Sequence, residues 1–126
     1  MVQKKKLGWS SLEVSKLCLG SMTWGEQTAP EDGWRQIDTA LASGINFIDT
    51  AEMYPTNPMR AETSGDTERV IGEWPGIKGR RSELVIATKV TGEGHSFVRE
   101  GAPITAKTIR LAIENSLRSL NTDYID

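Results

Sequence analysis

A chain of 126 residues allows one domain of ordinary size. With 37% hydrophobic and 25% charged residues, and neither repeats nor low-complexity tracts, the composition excludes a disordered chain. A net charge of -2 gives no electrostatic reason to expect nucleic acid or an anionic membrane as a partner, and no apolar stretch approaches the roughly 20 residues of a transmembrane helix.

The start Met1-Val2-Gln3-Lys4 is polar and has no signal-peptide core behind it, so a cytoplasmic location is expected. Lys4-Lys5-Lys6 reads as a solvated edge. The segment from Lys5 to Val14, with Gly8 and Ser10-Ser11 at its centre, predicts a β-hairpin capping one end of the fold. Leu17-Cys18-Leu19 is a first core strand closed by Gly20, and Cys18 within it is expected to be a small core residue. Thr28-Ala29-Pro30-Glu31 then has the form of a capping box, with Thr28 as the cap. Trp34, Ile37, Ala40 and Leu41 make the apolar stripe of the helix, and Gly44 ends it.

The second core strand is the apolar run Ile45-Asn46-Phe47-Ile48, finishing at Asp49. Residues 55–66 carry two prolines and several polar residues and predict a long loop. Thr67 is placed to cap a short helix carrying Val70, Ile71 and Trp74, which Pro75-Gly76 closes. A third strand runs from Leu84 to Lys89. After a second loop, from Thr91 to Pro103, Thr105 caps a long helix whose Ile109, Ile113, Leu117 and Leu120 predict one apolar face. Tyr124-Ile125-Asp126 reads as the start of a fourth strand.

Strands alternating with helices predict parallel β/α units, because each crossover returns a helix across a face of the sheet. A doubly wound nucleotide-binding domain should show G-x-G-x-x-G after its first strand, and the turn here reads Gly20-Ser21-Met22-Thr23-Trp24-Gly25. A (β/α)8 barrel fits better. Eight strands need about 250 residues, so residues 1–126 are expected to be the N-terminal portion of a single barrel domain: hairpin, three strands, three helices and the start of strand four.

In parallel strands about 4.8 Å apart, Asp49, Tyr54 and Lys89 would converge at the C-terminal face of the sheet, where barrels carry their chemistry. Hydride addition to a carbonyl builds negative charge on oxygen, and a proton donor placed there speeds the step. A tyrosine alone holds its proton too tightly at neutral pH. A neighbouring lysine favours the phenolate, and an aspartate keeps that lysine charged and oriented. Spacing alone leaves a second reading open, in which Asp49 and Lys89 are a structural ion pair and Tyr54 a rim aromatic. Trp24 and Trp9 could line a substrate pocket, while Trp34 and Trp74 are expected to pack helices on the sheet. Glu52, Glu62, Asp66 and Glu68, with His95, lack metal-ligand spacing; most of the carboxylates should be solvated, and no metal site is expected.

The motifs together resemble the aldo-keto reductases, over essentially the whole chain. They are Leu19-Gly20-Ser21-Met22, the run from Gly44 to Tyr54, Thr67-Glu68-Arg69-Val70-Ile71-Gly72, Ile86-Ala87-Thr88-Lys89, and Ser116-Leu117-Arg118-Ser119-Leu120 leading into Thr122-Asp123-Tyr124-Ile125-Asp126. The branch they most resemble holds Tas-like reductases and potassium-channel β subunits. The resemblance implies a (β/α)8 barrel and NADPH-dependent reduction of a small-molecule carbonyl substrate, with Tyr54 as proton donor and Asp49 and Lys89 as its partners. It assigns Ser21, Met22, Gln27 and Asp49 to the cofactor. The family's fourth catalytic residue, a histidine at the end of strand four, is expected beyond Asp126, and His95, in the loop after strand three, is not its substitute. A half-barrel would expose unpaired strand edges, so association between copies is expected. The alternative is an inactive half-barrel serving at most as a binding or assembly module.

Overall fold

The computed structural model describes residues 1–126. A two-stranded antiparallel hairpin, β1 (Lys4–Lys6) and β2 (Glu13–Ser15), opens the chain, with Lys5 opposite Val14. Its turn is closed by the Leu7 amide donating to the Leu12 carbonyl, with Gly8 at a φ of 57° that favours glycine. Trp9, at the tip, is fully exposed.

Three parallel strands follow in the order β3 (Cys18–Gly20), β4 (Phe47–Asp49) and β5 (Val85–Ala87). Leu19, Ile48 and Ile86 lie side by side and face the helices, joining a core that contains Ile37, Val70, Ile71, Trp74, Ile77, Leu84 and Leu120. By the alternation of strand side chains, Cys18, Phe47 and Val85 form one layer of the opposite face, and Gly20, Asp49 and Ala87 form the next. Cys18 is therefore exposed on the open face of the sheet, not in the core as the apolar run around it implies. Asn46 ties the hairpin to the start of β4: its Oδ1 accepts from Ser15 N at 2.8 Å and its Nδ2 donates to the Glu13 carbonyl at 2.9 Å.

Helix α1 (Pro30–Ala42) buries Gly33, Ile37 and Ala40, and Gly44 follows at a φ of 84°. Its N-cap is Ala29 rather than Thr28. The residue before a proline is driven to extended backbone, which moves the boundary one position and leaves the Thr28 hydroxyl against that of Thr23 at 2.9 Å. In α2 (Asp66–Gly72) the cap is likewise Gly65, not Thr67. Thr67 is fully buried and its hydroxyl donates to the Trp24 carbonyl at 2.6 Å. Trp24 is buried too, where Gly33 of α1 and Val70 of α2 meet, so it is a core residue and not a pocket wall. Trp34 and Trp74 pack helices as expected, their indole N–H groups donating to the Val70 carbonyl and to Asp38. Gly72 lets α2 approach the end of α4 (Ala106–Ser119): a Cβ there would lie 2.1 Å from the Ser119 carbonyl oxygen.

A short helix, α3 (Ile77–Arg80), and a 3-10 turn over Arg81–Glu83 stand between Pro75-Gly76 and β5, adding an element that the sequence pattern does not reveal. In α4, Thr105 caps as expected, accepting from Thr108 N and completing a capping box with the Thr108 hydroxyl. The buried face is the row of small residues Thr108, Ala112 and Ser116, continued by the fully buried Leu120 of the expected stripe, while Ile109 and Ile113 are 38% and 43% exposed. The row fits because α4 packs closely on α2, where only small side chains are accommodated. Residues 124–126 form no strand. The Asp126 carboxylate, held by Arg81 at 2.7 Å, accepts from the Ile86 N–H at 2.9 Å. No helix is long and apolar enough to cross a membrane.

One carboxylate expected in solvent, that of Glu68, is buried. Glu68 is 2% exposed and accepts from the Ser116 hydroxyl at 3.1 Å, linking α2 to α4. Burial pushes its pKa up, against the opposing hydroxyls of Ser116 and Thr88 and the charge of Arg69. A raised carboxyl pKa means that the folded chain holds the proton more tightly than the unfolded chain. The stability from this group is complete below the ordinary glutamate range, near pH 4, and is lost as pH rises through that range toward the folded value. Glu68→Gln should therefore raise the denaturant midpoint at neutral pH, with the gain shrinking in acid. A variant less stable than wild type at pH 7, with no pH dependence in the difference, would contradict the assignment.

Candidate active site

The pairing of β4 with β5 continues beyond both strands. Thr50 N donates to the Ala87 carbonyl at 2.9 Å, and Glu52 N donates to the Lys89 carbonyl at 3.1 Å. This extension carries Lys89 alongside Asp49 and Thr50. Its Nζ donates to Asp49 Oδ2 at 2.8 Å, to the Thr50 carbonyl at 2.8 Å and to the Tyr54 hydroxyl at 3.1 Å. Tyr54 is pinned in turn by the start of α2, because its carbonyl accepts from Gly65 N and Thr67 N at 3.0 and 3.2 Å. The long loop of residues 55–66 thus returns to the residue from which it departs.

The centre lies on the open face of the sheet at the C-terminal ends of the strands, with the side chains of Lys89 and Asp49 48% and 40% exposed. Partial burial works against the Lys89 ammonium, but the hydrogen bonds and charges of Asp49 and Tyr54 outweigh it and raise the lysine pKa. The ammonium stays charged through neutral pH. Cys18 is close enough that partial burial, and then the Asp49 carboxylate, push its thiol pKa up against the pull of Lys89.

The Ser21 hydroxyl is buried and donates to the Asp49 carbonyl at 2.7 Å, holding the end of β4. Met22, the next residue, is 44% exposed. Gln27 reaches the loop of residues 55–66, donating to the Asn57 carbonyl at 2.7 Å. Of these, Met22 keeps its side chain free and Ser21 does not. Asp49 uses Oδ2 for Lys89, which leaves Oδ1. Across the β3–β4 pair, a Cβ at Gly20 would meet nothing within 4 Å, so the space above Gly20, opposite Asp49, is open. A hydroxyl- or amide-bearing group could be held there. His95 packs edge-on against Phe97 in its own loop and hydrogen-bonds none of the three central residues.

Sequence reasoning misses Glu52 as a member of this region. Its carboxylate pairs with Arg99 and accepts from Thr91 N at 2.9 Å, while Arg99 also donates to the Thr91 carbonyl at 2.8 Å. Glu52 is thus neither solvated nor free. Arg99 is 47 residues away along the chain and carries no local signal of this pairing.

Residues 16–126 match the model of the Aldo/keto reductase family. Protein tas of Escherichia coli K12 is 46% identical over 128 residues, covering 99% of this chain and 37% of that protein. An aryl-alcohol dehydrogenase of Pestalotiopsis microspora is 38% identical, over 93% of the chain and 31% of its own length. Among solved structures, an aldo-keto reductase of Bacillus halodurans in its holo form superposes with a TM-score of 0.79 at 35% identity, covering all of this chain and 39% of its own. The chain therefore spans well under half the length of the relatives it matches.

Proposed function

Because this chain belongs to the aldo/keto reductase family, we propose that it supplies the proton-transfer centre of an NADPH-dependent reductase of aldehydes or ketones, built on a (β/α)8 barrel. The reading is carried by one observation: Lys89 Nζ lies 2.8 Å from Asp49 Oδ2 and 3.1 Å from the Tyr54 hydroxyl. Bound NADPH would supply the hydride. Every other requirement falls to protein groups. Tyr54 is the acid, placed to give its proton to the carbonyl oxygen as negative charge grows there. Lys89 stabilises the phenolate left behind, because its N–H already reaches that oxygen at 3.1 Å and the bond becomes charge-assisted once the proton has left. Asp49 keeps the ammonium charged and aimed, and its Oδ1 is not taken by Lys89. The exposed Met22 is available to an apolar cofactor surface, and Ser21 acts through the Asp49 backbone.

The test is turnover by the full-length gene product. Purified protein mixed with NADPH and a set of aromatic and aliphatic aldehydes is expected to oxidise the cofactor only when an aldehyde is present, with the matching alcohol as product. A folded protein that binds NADPH and turns over none of them would overturn the reading.

A further inference from the structure

Lys89 lies two residues beyond the end of β5, at the last rung of the extended pairing, where its carbonyl accepts from Glu52 N at 3.1 Å. Past that rung the two segments are held by a buried clamp. Glu52, between Asp49 and Tyr54 in the chain, takes the Lys89 carbonyl with its backbone N–H and the Thr91 N–H with its carboxylate. Arg99 then pairs with that carboxylate and donates to the Thr91 carbonyl at 2.8 Å. Both backbone groups of Thr91 are gripped, two residues from the ammonium. The side chains of Glu52 and Arg99 are 9% and 10% exposed. Breaking such a pair strands a buried charge, unlike the loss of a surface ion pair. Arg99 and its neighbour Glu100 adopt left-handed backbone, with φ of 47° and 56°, which residues with a Cβ ordinarily avoid. Paired strain of this kind persists where surrounding contacts over-determine it.

We infer that Glu52 and Arg99 are positioning residues for the reduction: they lock the segment carrying Tyr54 to the segment carrying Lys89 and so set the distance between phenol and ammonium. The inference rests on the reductase reading, and the experiment separates the two. Misplacing a reacting group by about 1 Å can cost 10²-fold in rate. In the full-length protein, Arg99→Ala and Glu52→Gln should lower kcat for an aldehyde by about 10- to 10²-fold, with KM and NADPH affinity unchanged. Arg99→Lys, which keeps the charge but loses the fork that reaches two acceptors, should recover part of the loss. In a Lys89→Met background neither substitution should lower kcat further, because the clamp acts through the ammonium.

Arg99→Lys strands no charge, since an ammonium still faces the Glu52 carboxylate, so it retains the fold if Arg99→Ala and Glu52→Gln do not. Unchanged kcat in the folded variants, or an equal fractional loss with and without Lys89, overturns the clamp. So does unfolding of every variant, which would make the pair an ordinary structural one. Tyr54→Phe assayed beside them reports on the parent reading: an inactive Tyr54→Phe with active clamp variants refutes the clamp alone, whereas a fully active Tyr54→Phe refutes the proton-transfer assignment itself.

Discussion

Tyr54→Phe in the full-length protein is expected to lower aldehyde turnover by at least about 10²- to 10⁴-fold, the range for loss of a general acid. The ring remains to pack and the backbone contacts from Tyr54 to Gly65 and Thr67 do not involve the hydroxyl, so folding and NADPH binding should survive. Lys89→Met should do comparable damage by another route. Without the ammonium, the Tyr54 oxygen loses its donor at 3.1 Å and the counter-charge for the phenolate left after transfer. Since both substitutions disable one proton transfer, the double variant should be little worse than either single one. Steady-state kinetics at saturating NADPH, with binding followed by quenching of protein fluorescence, would decide the matter. Near-normal turnover by a folded Tyr54→Phe variant would leave Asp49 and Lys89 as a structural pair.

Trp24→Ala should instead act on stability. The indole is 1% exposed between α1 and α2, so its removal leaves a large cavity, at a cost of roughly 3–5 kcal/mol for such truncations. The denaturant midpoint of the full-length protein should fall with its m-value unchanged. Folded variant molecules should keep their KM for aldehydes, because the indole packs against Gly33 and Val70 and makes no hydrogen bond to Asp49, Tyr54 or Lys89. An altered KM at unchanged stability would restore Trp24 to the pocket wall.

The contrast between these two residues shows which parts of the molecule the sequence discloses. Asp49, Tyr54 and Lys89 could be brought together on paper because each is tied to the end of a strand, and parallel pairing leaves few ways to arrange strand ends. Thr105 could be read as a cap because capping is settled within four residues. Trp24 could not be placed, since a tryptophan in a loop looks the same whether the loop turns it inward or outward. Thr28 and Thr67 had the composition of caps, but a proline moved one boundary and tertiary packing consumed the other hydroxyl. The isoleucines of α4 misled for a related reason: periodicity identifies an apolar face, while close approach to α2 selects a row of small residues. Glu52 and Arg99 meet only after two loops have folded back on the strand ends, and no local pattern encodes that meeting.

An ammonium has three hydrogens and no lone pair. Lys89 directs one at each of three oxygens, those of Asp49, Thr50 and Tyr54, so its donor capacity is spent. In the contact with Tyr54 the phenol oxygen can only be the acceptor. Its own hydrogen must then lie on the bond that Lys89 does not occupy, directed away from the lysine, and the phenol enters the reaction with its proton already aimed outward. Once that proton departs, the oxygen keeps the donor it had before and no side chain needs to turn to receive the new charge. The lysine's hydrogen bonds thus fix a direction for the transfer as well as a charge beside it.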